Sequence, residues 1–460
     1  MENKIHLSDH FTFKKLFRFT ISPMLMMLFT SIYWIVDGFF ISNFAGSNEF
    51  AGVNLIFPIV MVVACIGFMF GAGGAALVSK RLGEGDRDKA NRTFSLITVA
   101  TIVIGIIFSV VFFFLVEPIA RGFAAINSIK TTEKMIESAT LYGQIMIGGV
   151  SLYILQGYFH PLFSVNEKSH VGFYFTLVSG LTNMLLDYLL IGVANLHVIG
   201  AAIASLSGMF ISGIGPLIYF RFGKNNLIKL VKPEWSFKDI IKAATNGSSE
   251  FVANISGSIV SIVFNIQLLK YIGEDGVSAY GIIAYVCFIF FSLFIGYSAG
   301  VSPIISYNLG SGNKEELSNV YSKSLVIVIS AGIIMSTLSI ALAKPLTMIF
   351  ASNYPSIFDL TVRAMRIYSI CYLLNGVALF GSAFFTALNN GLVSAIISFL
   401  RTLVFQIIAV FTLPLIFGVD GIWSAFVVAE FLAMVMTFLC MYFMRKKYGY
   451  HLVNPFKRTE

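Results

Sequence analysis

Twelve apolar stretches, each about 20 residues or longer, determine what this chain can fold into. A stretch of that length crosses a bilayer as one helix, whose backbone hydrogen bonds are all internal. The chain has 57% hydrophobic and only 12% charged residues, whereas about a quarter of the residues of a soluble domain are charged. We therefore predict an all-α integral membrane protein with twelve transmembrane helices, near residues 16–42, 50–74, 93–116, 137–162, 171–192, 198–221, 240–269, 276–303, 321–343, 360–388, 392–416 and 420–444.

The placement of the basic residues orients these spans. If the N-terminus lies inside the cell, the loops and tails on that side hold 23 of the 31 lysines and arginines. This bias is typical of cytoplasmic loops, so we predict a multi-pass membrane protein with both termini cytoplasmic. The net charge of +8 does not indicate nucleic-acid binding, because a basic nucleic-acid face would not alternate with every second loop. The first apolar run is too long for a cleavable signal peptide, so none is expected.

An internal repeat divides the chain into two similar halves. Gly73 pairs with Gly300 and Ser79 with Ser306, and beyond a register slip Gly200 pairs with Gly421. Six spans separate the copies, and because six is even, the two lobes share one orientation and are related by a pseudo-two-fold axis along the membrane normal. We predict lobes at 1–222 and 240–460, joined by a cytoplasmic linker at 223–239. Transporters commonly bind substrate between such repeats, although duplication can also serve packing alone.

Four acidic residues lie deep within the predicted spans. A carboxylate at membrane depth is costly and by default marks an ion or substrate pathway. Asp37 and Asp187 lie in the outer parts of the first and fifth spans, Asn183 lies one turn deeper than Asp187, and Ser205 of the sixth span is at a similar depth. These oxygens suit a sodium ion, and two neighbouring carboxylates can also share a proton. Hydrogen bonds to neighbouring helices are the alternative role.

The second half lacks both aspartates. The positions paired with Asp37 and Asp187 are Phe264 and a residue near Ile408. Structural acids common to both lobes would appear in both copies, so the difference favours a function confined to the first lobe. Glu250, in the seventh span among small polar residues, is a candidate second titratable group that lines a water-filled cavity. A hydrogen bond to Asn254 or to a serine would explain it equally well.

Three other residues within the spans have structural interpretations. Pro23 removes a backbone hydrogen bond inside the first helix and is predicted to bend it below Asp37. Arg401 and Glu430 lie at similar depth in consecutive antiparallel spans and are expected to form a structural ion pair. His160 has no acid at helical spacing and is expected to be a satisfied packing residue.

Several kinds of chemistry have no pattern in this chain. No Walker A, HExxH or GxSxG sequence occurs, so neither ATP hydrolysis nor enzymatic catalysis is expected. The four cysteines lie singly in apolar spans, which argues against a disulfide framework or a zinc site. No cofactor is predicted beyond a coupling ion, H⁺ or Na⁺. Some of the 46 phenylalanines and 17 methionines, if they line a cavity, would suit bulky lipophilic cations.

Several segments together resemble the multidrug and toxic compound extrusion (MATE) family, in its MepA-type bacterial branch. The resemblance covers essentially the whole chain. It is carried by Pro23, Val36-Asp37, Gly73–Ser79, Leu82-Gly83-Glu84-Gly85, Asn183–Asp187, Gly200–Ser205, Ser249-Glu250 and Ser302-Pro303 before Leu309-Gly310.

The resemblance implies an antiporter of two lobes that exports organic cations against inward flow of protons or sodium. In relatives the cation site of the first lobe uses an Asp of helix 1, an Asn and an Asp of helix 5 and a Thr of helix 6, which correspond to Asp37, Asn183, Asp187 and Ser205. An acid of helix 7 used in some relatives matches Glu250. The acid that those relatives carry in helix 10 has no clear counterpart, since only Asn375 is present there.

We therefore predict a cation-coupled efflux transporter of the bacterial cytoplasmic (inner) membrane, not an enzyme, that functions as a monomer with membrane lipid and small organic cations as its partners. The alternative is a flippase for a lipid-linked or other amphipathic metabolite on the same scaffold. A flippase is expected to present cationic residues to phosphates, and Arg401 is the only basic residue found deep in a span.

Overall fold

A computed structural model describes residues 4–126, 132–352 and 354–456. These residues are mostly helical and include no strand. The predicted all-α fold is confirmed. Lys130, which contributes to the charge count above, lies outside the described residues. The helices are α1 (Phe13–Phe40), α2 (Ser47–Gly83), α3 (Arg87–Ile126), α4 (Glu133–Gly148), α5 (Val150–Val165), α6 (Ser169–Asp187), α7 (His197–Phe222), α8 (Phe237–Asn246), α9 (Ser248–Tyr271), α10 (Glu274–Ser311), α11 (Lys314–Ala341), α12 (Ala343–Ala351), α13 (Pro355–Tyr368), α14 (Cys371–Ala387), α15 (Gly391–Phe399), α16 (Phe405–Phe417) and α17 (Val419–Tyr448).

The described residues hold ten helical segments that are long and apolar enough to cross a membrane as single spans. Two further spans are each made of a bent pair of helices. The pair α4 and α5 is bent by 55°, and the pair α13 and α14 by 49°. Counting each pair as one span gives the predicted twelve. Each bent pair is the fourth span of its half, so the internal repeat preserves this irregular feature.

Within the described ranges, three short π-helical segments interrupt the spans. They are Ile41–Ala45 after α1, Tyr188–Val193 after α6, and Leu400–Val404 between α15 and α16. A π-helical turn accommodates one extra residue per turn, and such turns are frequent at functional sites. All three lie close to charged residues of the spans, namely Asp37, Asp187 and Arg401.

The chain divides by its internal contacts into two compact units. The N-unit comprises Leu25–Leu82 and Asp86–Gly247, and the C-unit comprises Met1–Met24, Gly83–Gly85 and Ser248–Glu460. Helix α1 therefore begins in the C-unit and ends in the N-unit. The seventh span was predicted to start at residue 240, but α8 ends at Asn246 and α9 begins at Ser248.

Close backbone packing fixes α8 in the N-unit. A Cβ atom added at Gly73 of α2 would collide with the carbonyl oxygen of Ala243, and one added at Gly247 would collide with that of Met69. At the other end of α8, Arg81 Nη2 lies 2.8 Å from Asp239 Oδ1. Glycine at these two contacts allows the two backbones to approach more closely than any other residue would permit.

In the C-unit, both ends of the described chain pack on the start of α11. The carboxylate of Glu316 accepts a hydrogen bond from the Phe11 amide at 2.9 Å and lies 2.6 Å from His10 Nδ1. The C-terminal tail adds a bond from the Val453 amide to Ser322 Oγ at 3.0 Å. Glu316 is buried, so these contacts determine where the segment before α1 lies.

Candidate functional site

Four side chains meet inside the N-unit where three helices come together. Asp37 comes from α1, Asn183 and Asp187 from α6, and Ser205 from α7, and none is more than 6% exposed. Ser205 Oγ donates to Asp37 Oδ1 at 3.4 Å, and Asn183 Nδ2 donates to Ser205 Oγ at 3.5 Å. The structure thus brings together the residues that depth alone matched in the sequence.

The two carboxyl groups of this cluster are adjacent, which limits what can occupy it. Asp37 and Asp187 act on each other electrostatically within this cluster. Neither oxygen of Asp187 accepts a hydrogen bond from any described residue, and Asn183 Oδ1 is also without a donor. Two carboxylates in a medium of low dielectric repel strongly unless a positive charge lies between them. The site therefore requires a proton or a small cation, and its all-oxygen donor set suits either.

Two π-helical segments lie next to this cluster. Tyr188–Val193 begins directly after Asp187, and Ile41–Ala45 begins four residues after Asp37. The two segments pack against each other and against α7. Sequence reasoning missed them, because no residue type distinguishes a π turn from an α turn in an apolar span. The register of the two aspartates relative to the outer ends of their helices depends on these turns.

An aromatic surface adjoins the cluster. Trp34, one turn before Asp37, stacks on Tyr33 with ring centroids 5.5 Å apart and meets the edge of Phe57 at 5.4 Å. Tyr153 lies 5.8 Å from Trp34 and 6.4 Å from Phe68. Trp34, Phe57 and Phe68 are half-buried, whereas the tyrosines behind them are buried. Partly exposed rings beside a carboxylate suit a flat apolar cation.

The corresponding position of the C-unit is filled by aromatic rings. Phe264, the counterpart of Asp37 in the repeat, is fully buried. Its ring centroid lies 4.2 Å from that of Phe426 and 5.8 Å from that of Tyr280. Tyr368 extends this cluster, 4.6 Å from Phe426. The helical scaffold is repeated, but here four packed aromatic rings stand in place of the polar cluster.

The other predicted site residues lie in the C-unit. Glu250 is partly exposed near the start of α9, and Asn254 donates to its backbone oxygen at 2.8 Å, not to its carboxylate. Arg401 Nε lies 3.1 and 3.0 Å from the two carboxylate oxygens of Glu430, and both side chains are nearly buried. Pro23 lies inside α1, where it packs on Gly300 of α10.

His160 differs from its expected role in one respect. It is buried on α5 of the N-unit, as a packing residue would be, but neither ring nitrogen has a hydrogen-bond partner among the described residues. The expectation of a satisfied histidine is therefore wrong. No group of three or more His, Cys, Asp or Glu side chains that could hold a metal ion occurs in the described part of the chain.

Comparison with known proteins identifies the family. The family model described as MatE matches residues 23–189 and 251–412, which include Asp37, Asn183, Asp187 and Arg401. "Multidrug export protein MepA" of Staphylococcus haemolyticus (strain JCSC1435) is 24% identical over 454 residues, which are 97% of each chain. The protein of the same name from Staphylococcus aureus (strain MRSA252) is 25% identical over 443 residues, 95% of this chain and 94% of the relative.

Solved structures show the same fold. A MATE protein crystallised in complex with MaL6 superposes with a TM-score of 0.89 at 18% identity, covering 98% of this chain and 100% of that chain. A MOP superfamily transporter from Pyrococcus furiosus gives 0.88 at 19% identity, covering 96% of this chain and 98% of the other. The two segments matched by the family model correspond to the two halves of the repeat, and together they span well over half of the sequence. The chain belongs to the MatE family.

Proposed function

We propose that this chain is a cation-coupled antiporter that exports organic, mostly lipophilic cationic drugs and toxic compounds across the bacterial cytoplasmic membrane. The observation that carries the proposal is the buried cluster of Asp37, Asn183, Asp187 and Ser205, in which both oxygens of Asp187 and Oδ1 of Asn183 have no donor among the described residues. The names of the relatives, multidrug export proteins, support export of drugs. The bias of basic residues supports cytoplasmic termini.

The cluster is the proposed site of the coupling ion. Among the described residues, neither buried oxygen of Asp187 has a donor, and Asp37 Oδ1 accepts a long bond of 3.4 Å from Ser205. An entering H⁺ or Na⁺ would relieve the repulsion between the two carboxylates and supply the missing charge. Since no deep acid occupies the equivalent place in the C-unit, where Phe264 packs on aromatic rings, we place coupling in the N-unit.

The aromatic surface is the proposed binding site for the flat part of a substrate. The half-buried rings of Trp34, Phe57 and Phe68 offer apolar contact and cation–π attraction. Asp37 lies one turn from Trp34, so the same carboxylate would bind either the substrate's positive charge or the coupling ion. Competition for one carboxylate is the simplest physical basis for exchange of one cation for another.

The proposed movement is in α1. The helix has Pro23 in its interior, where the missing amide hydrogen bond lowers the cost of bending. Neutralising Asp37 and Asp187 would allow α1 to bend near Pro23 and narrow the substrate surface, so that the compound leaves outside. Glu250, partly exposed in the C-unit, would attract the substrate cation, and Arg401 with Glu430 would serve as a structural pair.

The rival function, a flippase of phosphate-bearing lipids, has less support. It would need basic side chains free to bind phosphate within the spans. The Nε atom of Arg401 contacts both carboxylate oxygens of Glu430, so the positive charge of Arg401 is already compensated. Lys323, the other nearly buried base of the C-unit, donates to the Phe11 carbonyl oxygen at 2.8 Å.

Ethidium export from proteoliposomes, with pH and sodium gradients imposed separately, tests the proposal. We expect one gradient to drive export in the unaltered protein and the variants Asp37→Asn and Asp187→Asn to lose gradient-driven export at least about tenfold. Glu315→Gln, at an exposed site on α11, is the control for an unrelated lost carboxylate. Gradient-driven export that survives in both aspartate variants would refute the mechanism.

A further inference from the structure

A line of buried polar side chains leads from the coupling cluster toward the predicted cytoplasmic side of the N-unit. Tyr33 lies one turn before Asp37 on α1, on the same helical face. Gln156 Nε2 of α5 donates to Tyr33 Oη at 3.3 Å. His160 lies one turn further along α5, on the face of Gln156. These three side chains are each 7% exposed or less.

Polar atoms without hydrogen-bond partners occur at both ends of this line and at Gln156. Both oxygens of Asp187, Oδ1 of Asn183, Oε1 of Gln156 and both ring nitrogens of His160 are buried and have no hydrogen-bond partner among the described residues. A buried polar atom without a partner costs about 1–3 kcal/mol, so a structural role alone would not maintain several of them. Buried water normally satisfies such groups where several polar atoms lie together.

We propose that this line is the inward route of the coupling proton and that His160 is its inner acceptor. Water held by the unpaired acceptors would carry the proton, with Tyr33 and Gln156 orienting it. A carboxyl group of the Asp37–Asp187 pair loses its proton and becomes a carboxylate, His160 becomes an imidazolium, and the imidazolium releases the proton to water on the cytoplasmic side. This inference rests on the proposed function and selects the proton as coupling ion.

The position of His160 fits an exit. It lies five residues before the end of α5 at Val165, about 8 Å along the helix axis. Imidazole is the side chain whose ordinary pKa allows it to accept and release protons near neutral pH. A histidine with a packing role alone would pay the free-energy cost of burying two nitrogens without hydrogen bonds. Leucine or phenylalanine would fill the same space without that cost.

The other titratable groups near α5 are few. Among the described residues of the N-unit the buried ones are Asp37 and Tyr33 on α1, Cys65 and Arg81 on α2, Tyr142 on α4, Tyr153 and Tyr158 on α5, and Asp187 on α6. Arg81 is paired with Asp239, and tyrosine and cysteine are neutral near pH 7 at their ordinary pKa values. The two aspartates are therefore the groups whose charge changes would act on His160.

The test compares His160→Gln and Gln156→Leu with His170→Gln, a control at an exposed histidine of α6. In proteoliposomes we expect both route variants to bind ethidium within about twofold of the unaltered protein but to release protons inside at least about tenfold more slowly. His160→Gln should also lose the change in rate between about pH 6 and 7.5 that a histidine gives. Proton release and a pH profile unchanged in both variants would overturn the proposal.

Hydrogen–deuterium exchange at histidine C2 in the unaltered protein needs no variant. We expect His160 to exchange within about tenfold of exposed His170, because water reaches its ring. No detectable exchange would overturn the route. Export driven only by a sodium gradient would also overturn it while leaving export itself intact. Absence of export under either gradient would refute the proposed function, and the exchange measurement would still decide whether water reaches His160.

Discussion

The Arg401–Glu430 pair gives the sharpest prediction of energetics. Arg401 Nε is 3.0 and 3.1 Å from the two oxygens of Glu430, with side chains 10% and 5% exposed. Removing one partner leaves an uncompensated buried charge, which costs about 3–5 kcal/mol. Arg401 also acts electrostatically on Glu250, so its loss leaves two carboxylates without a counter-charge. We expect Arg401→Gln to destabilise the protein more than Glu430→Gln does.

Removing both charges should restore most of the stability. An apolar replacement of a buried pair is often neutral, so Arg401→Met with Glu430→Leu should lie within about 1–2 kcal/mol of the unaltered protein. Unfolding titrations in mixed micelles measure the four free energies of a double-mutant cycle, those of the unaltered protein, Arg401→Met, Glu430→Leu and their combination. Arg363→Gln is the control, since its partner Asp420 and Arg363 itself are exposed and such pairs contribute about 0–1 kcal/mol.

Two outcomes would refute this reasoning. A double variant as unstable as the sum of the single variants would show that the two side chains do not compensate each other. A double variant of normal stability that has lost ethidium export would show that the pair acts in transport, and the structural assignment would then be wrong.

Three further predictions concern packing. Gly73→Val should separate α8 from α2, because the added atoms collide with the Ala243 carbonyl, and should cost more than about 2 kcal/mol in the same unfolding assay; unchanged stability would contradict the contact. Glu316→Ala should cost about 1–3 kcal/mol by leaving the amide of the segment before α1 unpaired, and should speed proteolysis there, whereas exposed Glu315→Ala should do neither. Phe264→Asp should destabilise by several kcal/mol without adding an ion-coupling site, measured as unchanged ions per exported drug.

The lengths of the apolar stretches were enough to predict the spans. Each stretch must satisfy its own backbone hydrogen bonds in lipid, so its helical structure depends on its own sequence and not on distant residues. Matching depths along helices of known direction was enough to choose Asp37, Asn183, Asp187 and Ser205 as candidates. The distances among them were not predictable, since they depend on how three helices pack. The same limit applies to the break at Gly247, where a close backbone contact with α2, not a composition change, ends α8.

Contacts between distant parts of the chain were the least accessible to sequence reasoning. Phe11 and Glu316 are 305 positions apart, and no residue pattern near either indicates the other. The π-helical segments have the same character, because an extra residue in a turn is stabilised by the neighbouring helices. The polar environment of His160 could have been predicted by a different criterion. Gln156 lies one helical turn before His160, so the two polar side chains share one face of α5.

The duplicated scaffold explains how one half can hold two neighbouring buried aspartates while the equivalent place in its copy holds none. Two buried aspartates are stable only when all four polar side chains of the cluster, from three helices, are present together. A single carboxylate in the same place would be a buried charge without compensation. Where a phenylalanine occupies the position equivalent to Asp37, as Phe264 does, neighbouring aromatic rings fill the space. Replacing these rings with a cluster of buried carboxyl groups would require several simultaneous substitutions. We therefore expect the coupling ion to act on the N-unit, and the C-unit to contribute a stable apolar interior.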